Sequence, residues 1–517
     1  MHRKIIWADD EIEFLEPHVL YLRDRGFEVE GVTNGDDAIA AVNDGGADMV
    51  ILDESMPGKD GLETLIEIKK NRPDLPVIMV TKNEEETLME EAIGFKIDDY
   101  LTKPVNPSQI LLACKKVLDK EKISEARIAK NFSARLNEIA MAVMNEPGWE
   151  EWPEVYQNLV ALTLEADQSS ESDMSELLSE QISEANKEFG RFIKNNYGTQ
   201  IFAEKSADPI FSTNVLERLM IPEVKSNEKS IFIVIDGMRL DQWFTFERRL
   251  STLFAIKRQL YYSILPTATP FARNAIFSGL YPADIVKQYP DIYERTEEEN
   301  SANRYEKELL TQLLARNGVR YNNAIYYDKI FNERDASELE KRFQMIQDAP
   351  FTALVFNFVD ILAHSRSDLQ VLKEIAPDEA AFRSLTVSWF EHSAILSFFK
   401  KLANAGFTVY LTSDHGSIRG LHPAKIITDK EASHNLRYKF GRNLKTQTKS
   451  IVRLKDPADF RLPRFSLNSE CVIATQDYYF VYQQNYHKFA SLYKDCFQHG
   501  GISLEEMIVP FVKMQAK

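Results

Sequence analysis

Cysteine is scarce. Only Cys114, Cys471 and Cys496 occur in 517 residues, far apart and with no CxxC pair, which excludes a disulfide framework and a thiolate zinc site. Long apolar runs are missing as well. None approaches the ~20 residues that span a bilayer, and acidic residues begin at Asp9, too early for the apolar region of a secretory leader. A soluble, cytoplasmic chain is expected. Excess positive charge is also absent: 62 Lys and Arg stand against 79 Asp and Glu, a net charge of −17. That balance argues against a protein built to coat nucleic acid or an anionic membrane. No Gly-turned helix-turn-helix segment is present for reading duplex DNA, and no internal repeat is visible.

What is present falls into three stretches, as expected for a chain too long for one core at roughly 100 to 200 residues per domain. Residues 1–121 alternate short apolar runs (KIIWA, ADMVILD, LPVIMVT, DDYLT) with helix-like segments, the rhythm of a parallel sheet with helices on both faces. From Pro107 a helical pattern continues without a further Pro or Gly until EPG at 146–148, so the last helix of this domain is expected to run on into the next. Residues 122–205 are polar and helical in pattern, with a Ser- and acid-rich break at 168–176, and read as a helical connector. The runs SIFIVID, TALVFNFVD and FTVYLTSD then mark a second α/β domain at 206–517. The expected class is α/β multidomain.

In the first domain, Asp9 and Asp10 follow KIIWA, and Asp53 ends ADMVILD. Strand ends of an open parallel sheet meet at one crevice, and three crowded carboxylates there suit a hard divalent cation such as Mg²⁺. Thr81 ends VIMVT, and Lys103 precedes a proline that is a candidate for a cis bond. The acidic pair, DESMPGKDG, the Thr, the aromatic Tyr100 and the Lys-Pro, in this order, resemble the flavodoxin-like receiver domain of two-component response regulators. The resemblance implies that Asp53 accepts a phosphoryl group from a sensor histidine kinase. It also implies that Asp9 and Asp10 hold Mg²⁺ with Asp53, that Lys103 contacts the phosphoryl group, and that Thr81 and Tyr100 form the switch pair.

In the second domain three apolar runs each end in Asp: Asp236, Asp360 and Asp414. His364 stands four residues after Asp360, His415 follows Asp414, and His499 lies in QHGGISLEEMIVPF. Three carboxylates and three imidazoles on converging strand ends suit two Zn²⁺ ions in N/O sites. Thr267 and Thr269 sit in LPTATPFARNAIFSGL, a Pro-bounded turn into a helix whose N-terminal amides favour an anionic group. His392, His422, His434 and His487 have no such company and are expected to be structural.

VIDGMR, PTATP, the Asp-Ile-Leu-Ala-His segment, TSDHG and HGGISLEEMIVP together resemble the alkaline phosphatase superfamily, and within it the PglZ branch. The resemblance implies one zinc held by Asp236, Asp414 and His415 and another by Asp360, His364 and His499. Thr269, the second Thr of PTxT, becomes the nucleophile, with Thr267 the alternative. Asn274 becomes a donor to a non-bridging oxygen, and Arg273 is left unassigned. In-line attack then gives a phosphothreonine that water hydrolyses.

Residues 425–464 hold eleven Lys or Arg against four Asp or Glu, a patch suited to a polyanion. A zinc phosphodiesterase or phosphatase acting on nucleotide or oligonucleotide phosphodiesters is therefore expected. The alternative is a signalling scaffold with a structural metal site. As a whole chain the sequence resembles response regulators of type IX secretion, which implies secretion components and a sigma factor as partners. A phosphorylation-promoted homodimer through the Tyr100 face is also expected.

Overall fold

The computed structural model describes residues 3–82, 97–118, 120–168, 172–203, 208–224, 229–291, 303–428, 433, 435–464 and 468–517. They belong to two compact units, Met1–Ser133 and Ala134–Lys517. Among the described residues no helix is long and apolar enough to cross a membrane.

The first unit is built on β1 (Arg3–Ala8), β2 (Phe27–Val32), β3 (Met49–Asp53), β4 (Val77–Thr81) and β5 (Asp99–Thr102). All are parallel, in the order β2-β1-β3-β4-β5. β3 and β4 are buried at every residue, as continuous apolar runs require when helices cover both faces. Alternate residues divide the core. Ile6, Ala8, Val50 and Leu52 face helices Gly35–Asn43 and Gly61–Asn71, whereas Ile5, Trp7, Met49 and Ile51 pack with Ile110 and Cys114 of helix Pro107–Leu118. Asn34 and Asp60 start their helices by accepting from the Asp37 and Glu63 amides. The connections leave the carboxyl ends of β1, β3 and β4 side by side, at the point where the strand order reverses.

The second unit has a six-stranded sheet of β6 (Ser230–Ile235), β7 (Phe254–Tyr262), β8 (Tyr326–Ile330), β9 (Thr352–Phe356), β10 (Thr408–Thr412) and a C-terminal strand, Ile508–Ala516. β10, β6, β9 and β8 run parallel as neighbours, and the C-terminal strand pairs antiparallel with β10 and β7. Phe232, Val234, Val355 and Tyr410 of the sheet pack with Ile276 and Phe277 of helix Thr269–Ser278 and with leucines of helix Glu306–Arg316. Pro270 lies in the first turn of helix Thr269–Ser278, and Gly279 ends it at φ 67°, the Pro-in, Gly-out asymmetry of a defined helix. Strands within 422–482 form two separate three-stranded sheets.

The helical stretch expected as a connector packs within this second unit from Ala134 onward. Trp152 of helix Trp152–Ala166 stacks edge-on against Phe189 of helix Ser172–Gln200 at 5.2 Å. Arg383 of helix Glu379–His392 reaches back to Asp167 at 2.7 and 2.8 Å. The helical pattern after Pro107 appears as Pro107–Leu118 and Lys120–Met144, with residue 119 outside the described residues. The polar break is shorter than expected, because helix Ser172–Gln200 already includes most of it.

Candidate metal centres and active site

In the first unit the strand ends gather the expected groups. Asp9, Asp10 and Asp53 present carboxylate oxygens within 4.8 Å of one another. Lys103 reaches Asp9 at 2.9 Å and Asp53 at 2.8 Å, and the Lys103–Pro104 bond is cis. Burial pushes the Asp53 carboxyl up, against the pull of Lys103. Burial works against the Lys103 ammonium, yet Asp53 and Asp9 raise its pKa overall. Asp53 Oδ2 is buried and has no hydrogen-bond partner among the described residues, so the cluster keeps an oxygen for a hard cation. Thr81 donates to Glu54, the residue after Asp53, and Tyr100 is 40% exposed.

In the second unit β6 delivers Asp236 and β10 delivers Asp414 and His415, as the apolar runs indicated. Asp360 differs. β9 stops at Phe356, and Asp360 lies in the first turn of helix Phe358–Asp368. The run ALVFNFVD is thus strand followed by helix, and the four-residue spacing sets Asp360 and His364 on one helical face, 3.4 Å apart. His499 follows a two-residue strand and comes within 3.6 Å of Asp360. Two clusters result, Asp236–Asp414–His415 and Asp360–His364–His499. They adjoin, because the His415 and His499 rings stack at 4.2 Å. Gly237 lies between Asp236 and the second cluster at φ 69°, where a Cβ would stand 3.3 Å from Asp360.

Each member of the first cluster has one atom engaged and another turned inward. Arg273 donates to Asp236 Oδ2 at 2.6 Å, leaving Oδ1 near Thr269. The Gly237 and His415 amides donate to Asp414 Oδ1, while its buried Oδ2 has no hydrogen-bond partner among the described residues. His415 Nδ1 lies 3.0 Å from the Gly416 carbonyl. A carbonyl only accepts, so Nδ1 carries a proton, and Nε2 is the ring atom turned toward Thr269 and Asp236. These are ligand-ready nitrogen and oxygen atoms, and they fit a divalent cation.

The electrostatics agree. Burial pushes Asp236 up to about 7 against the Arg273 charge, and raises Asp414 likewise. Burial resists ionisation of Asp360, but its hydrogen bond to His364 and the neighbouring imidazoles hold it well below the usual carboxylate range. Burial takes His499 down to about 3. Carboxylates crowded together out of water call for added positive charge.

Thr269, the first residue of its helix, places Oγ1 3.0 Å from His415 Nε2 and 3.3 Å from Asp236 Oδ1. Thr267 is engaged elsewhere. It is fully buried, donates to the Gly501 carbonyl at 2.7 Å and accepts from the Gly500 amide at 3.1 Å. Asn274 donates to the Pro270 carbonyl and accepts from Asn303, which also donates to the Thr269 carbonyl. Asn303 therefore steadies the Thr269 backbone, and no sequence pattern marked it. Arg273 is buried between Asp236 and Glu306, 2.7 Å from the latter. Burial opposes its charge, yet Asp236 and Glu306 hold its pKa high. Glu306 was legible in principle: it shares a buried helical face with Leu309, Leu310, Leu313 and Leu314.

The basic stretch is less available than its sequence indicates. Arg437 and Lys439 are fully buried. Arg437 pairs with Glu506 at 2.6 Å, and Arg453, Arg461 and Arg464 pair with Glu470, Asp284 and Asp456. Lys425, Lys445, Lys449 and Lys455 remain exposed. Residues 429–432 and His434 lie outside the described residues. His422 pairs with Asp477 at 2.7 Å.

Comparison with known proteins assigns these stretches of the chain to families. Residues 215–514 match the BREX system PglZ alkaline phosphatase-like domain, residues 5–115 the response regulator receiver domain, and residues 122–201 the PorX response regulator linker domain. The chain belongs to the PglZ alkaline phosphatase-like family, joined to a response regulator receiver in the PorX-type order. Over 115 residues it is 33% identical to the transcriptional regulatory protein ResD of Bacillus subtilis, covering 22% of this chain and 48% of that protein. Over 116 residues it is 34% identical to the sensory transduction protein RegX3 of Mycobacterium bovis, covering 22% and 50%. The chain thus spans about half the length of the curated relatives it matches. Among solved structures, the receiver domain of NtrX from Brucella abortus is similar at 32% identity and TM-score 0.21, covering 22% of this chain and 98% of that one. A CheY-like receiver from Methanospirillum hungatei is similar at 27% identity and TM-score 0.23, covering 24% and 99%.

Removing one partner of a buried ion pair leaves the other uncompensated. Arg273→Met should therefore destabilise the metal-free chain by about 3–5 kcal/mol in urea unfolding, and adding Glu306→Gln should recover part of the loss. A midpoint unchanged by Arg273→Met would show that the pair bears no such strain.

Proposed function

We propose that this response regulator is phosphorylated on Asp53 by a sensor histidine kinase and carries a two-zinc phosphodiesterase or phosphatase as its output. The parts are a receiver at 1–121, a connector at 122–205 and the hydrolase at 206–517. The observation that carries the reading is the placement of Thr269 Oγ1 at a helix N-terminus, within 3.3 Å of two members of one cluster, with the second cluster stacked on the first.

The proposed zinc ligands are Asp236, Asp414 and His415 in one site and Asp360, His364 and His499 in the other. Bound zinc supplies Lewis acidity that lowers the pKa of a hydroxyl or water and offsets phosphoryl charge. Thr269 Oγ passes its proton to solvent water and attacks phosphorus in line, and the departing alkoxide takes a proton back from water. The new P–Oγ bond forms as the P–O bond to the leaving alkoxide breaks. Water then cleaves the phosphothreonine and restores the hydroxyl. The amides at the start of helix Thr269–Ser278 face the developing negative charge. Rotation of the Asn274 amide away from Pro270 would let it donate to a non-bridging oxygen.

In the receiver, Asp9, Asp10 and Asp53 are the proposed Mg²⁺ ligands, Lys103 the phosphoryl contact, and Thr81 and Tyr100 the switch. Thr81 must leave Glu54 to reach a phosphoryl oxygen. Nucleotide or oligonucleotide phosphodiesters are the proposed substrates, supported by the four exposed lysines at 425–455. The proposed setting is cytoplasmic control of type IX secretion, with secretion components and a sigma factor as partners, supported by the PorX linker match.

Thr269→Ala should abolish turnover of a chromogenic phosphodiester while both zinc equivalents remain. Full activity in that variant would refute the mechanism. His415→Ala should lose about one of the two equivalents by elemental analysis, in keeping with a three-residue site. A fluoride mimic of the phosphoryl group with Mg²⁺ should shift monomer to dimer through the Tyr100 face, whereas an unchanged mass by light scattering at saturation would contradict the switch.

A further inference from the structure

Helix Ser172–Gln200 packs one face against segments that flank the candidate hydrolase centre. Asn186, Gly190, Ile193 and Tyr197 follow one another at spacings of four, three and four, so they line a single stripe. Asn186 is 3% exposed. Its Oδ1 accepts from the Leu504 amide at 2.8 Å, and its Nδ2 donates to the Glu505 carboxylate at 3.0 and 3.2 Å. Gly190 faces Thr475, where a Cβ would lie 3.2 Å from that side chain, and Thr475 bridges to Ile502. Tyr197 is fully buried, and its hydroxyl oxygen accepts from the Leu265 amide at 2.9 Å.

The two segments held in this way adjoin the candidate site residues. Residues 499–506 begin with His499. Gly500 and Gly501 hold Thr267 from both sides. The Glu506 carbonyl accepts from the Gly416 amide at 3.1 Å, beside His415. Gly416 lies so close that a Cβ would be 1.9 Å from the Glu505 carbonyl oxygen, which leaves no slack between this loop and the Asp414–His415 strand end. Leu265, at the other contact, opens the PTAT turn that ends in Thr269. An axial movement of the helix therefore reaches the His499 loop and the Thr269 loop together.

We propose that Asn186 and Tyr197 are positioning residues through which the connector helix sets the geometry of the hydrolase centre: Asn186 acts on the His499 cluster, and Tyr197 acts on the nucleophile loop. The proposal rests on the two-metal hydrolase reading. It makes the connector helix the lever by which any rearrangement upstream changes turnover, since a misplacement of about 1 Å at reacting groups costs on the order of a hundredfold in rate.

The test uses the full chain, with bis(p-nitrophenyl) phosphate as substrate, zinc affinity by competition with a chromophoric chelator, and melting temperature. Asn186→Leu, one step further from the ligands than an outer-shell partner, should weaken one zinc equivalent about tenfold, the low end of outer-shell effects, and lower kcat about tenfold or more with KM nearly unchanged. Tyr197→Phe removes one oxygen and keeps the ring, so it should keep both zinc equivalents at wild-type affinity and lower kcat about tenfold. Asn186→Ser replaces the Leu variant if the latter does not fold. Variants that only melt earlier, with wild-type kcat and zinc affinity, would overturn the proposal and leave the hydrolase reading standing. A wild-type chain with neither turnover nor zinc would overturn that reading and the proposal with it.

Discussion

Buried negative charge at the carboxyl edge of a sheet is the constraint that shapes both units. Asp236 and Asp414 lie almost wholly out of water, where an uncompensated carboxylate is costly. The surrounding structure supplies partial compensation in fixed directions. Arg273 engages one oxygen of Asp236, backbone amides engage one oxygen of Asp414, and the carbonyl of Gly416 accepts from His415 Nδ1. What remains is a set of inward donor atoms whose burden of charge is still unbalanced. The first unit solves the same problem with Lys103 set between Asp9 and Asp53. In each case the arrangement is complete enough to fold and incomplete enough to bind a cation.

Close packing transmits this constraint outward. Gly237 and Gly416 are small because a carboxylate or a carbonyl approaches them within van der Waals contact. Arg437, one of the basic residues of 425–464, is the buried partner of Glu506, and so holds the segment that follows His499. The connector helix is fastened to the same segment through Asn186.

Much of this was legible in the sequence for physical reasons. Apolar runs that end in Asp predicted the gathering of Asp236 and Asp414, because parallel strands start from one edge of a sheet and finish at the other. The spacing of Asp360 and His364 predicted a shared helical face, although the boundary between strand and helix fell earlier than the apolar run implied. Phe358 and Val359 extend the run beyond Asn357 in either conformation, and periodicity over so short a run does not separate the two. Long-range pairs were not legible. Arg273 and Glu306, or Asn186 and Glu505, lie far apart in the chain, and nothing local in either member names the other. The charge of 425–464 misled for the same reason: composition counts charges, while burial and pairing decide which of them face solvent.

Two metal ions side by side next to Thr269 are the core of the proposed mechanism. Anomalous diffraction at the zinc edge, from crystals of the purified chain, tests it most directly. The account predicts two peaks about 4 Å apart, one bounded by Asp236, Asp414 and His415 and the other by Asp360, His364 and His499, with Thr269 Oγ in contact with the first. A single peak, or peaks away from these six residues, would contradict it.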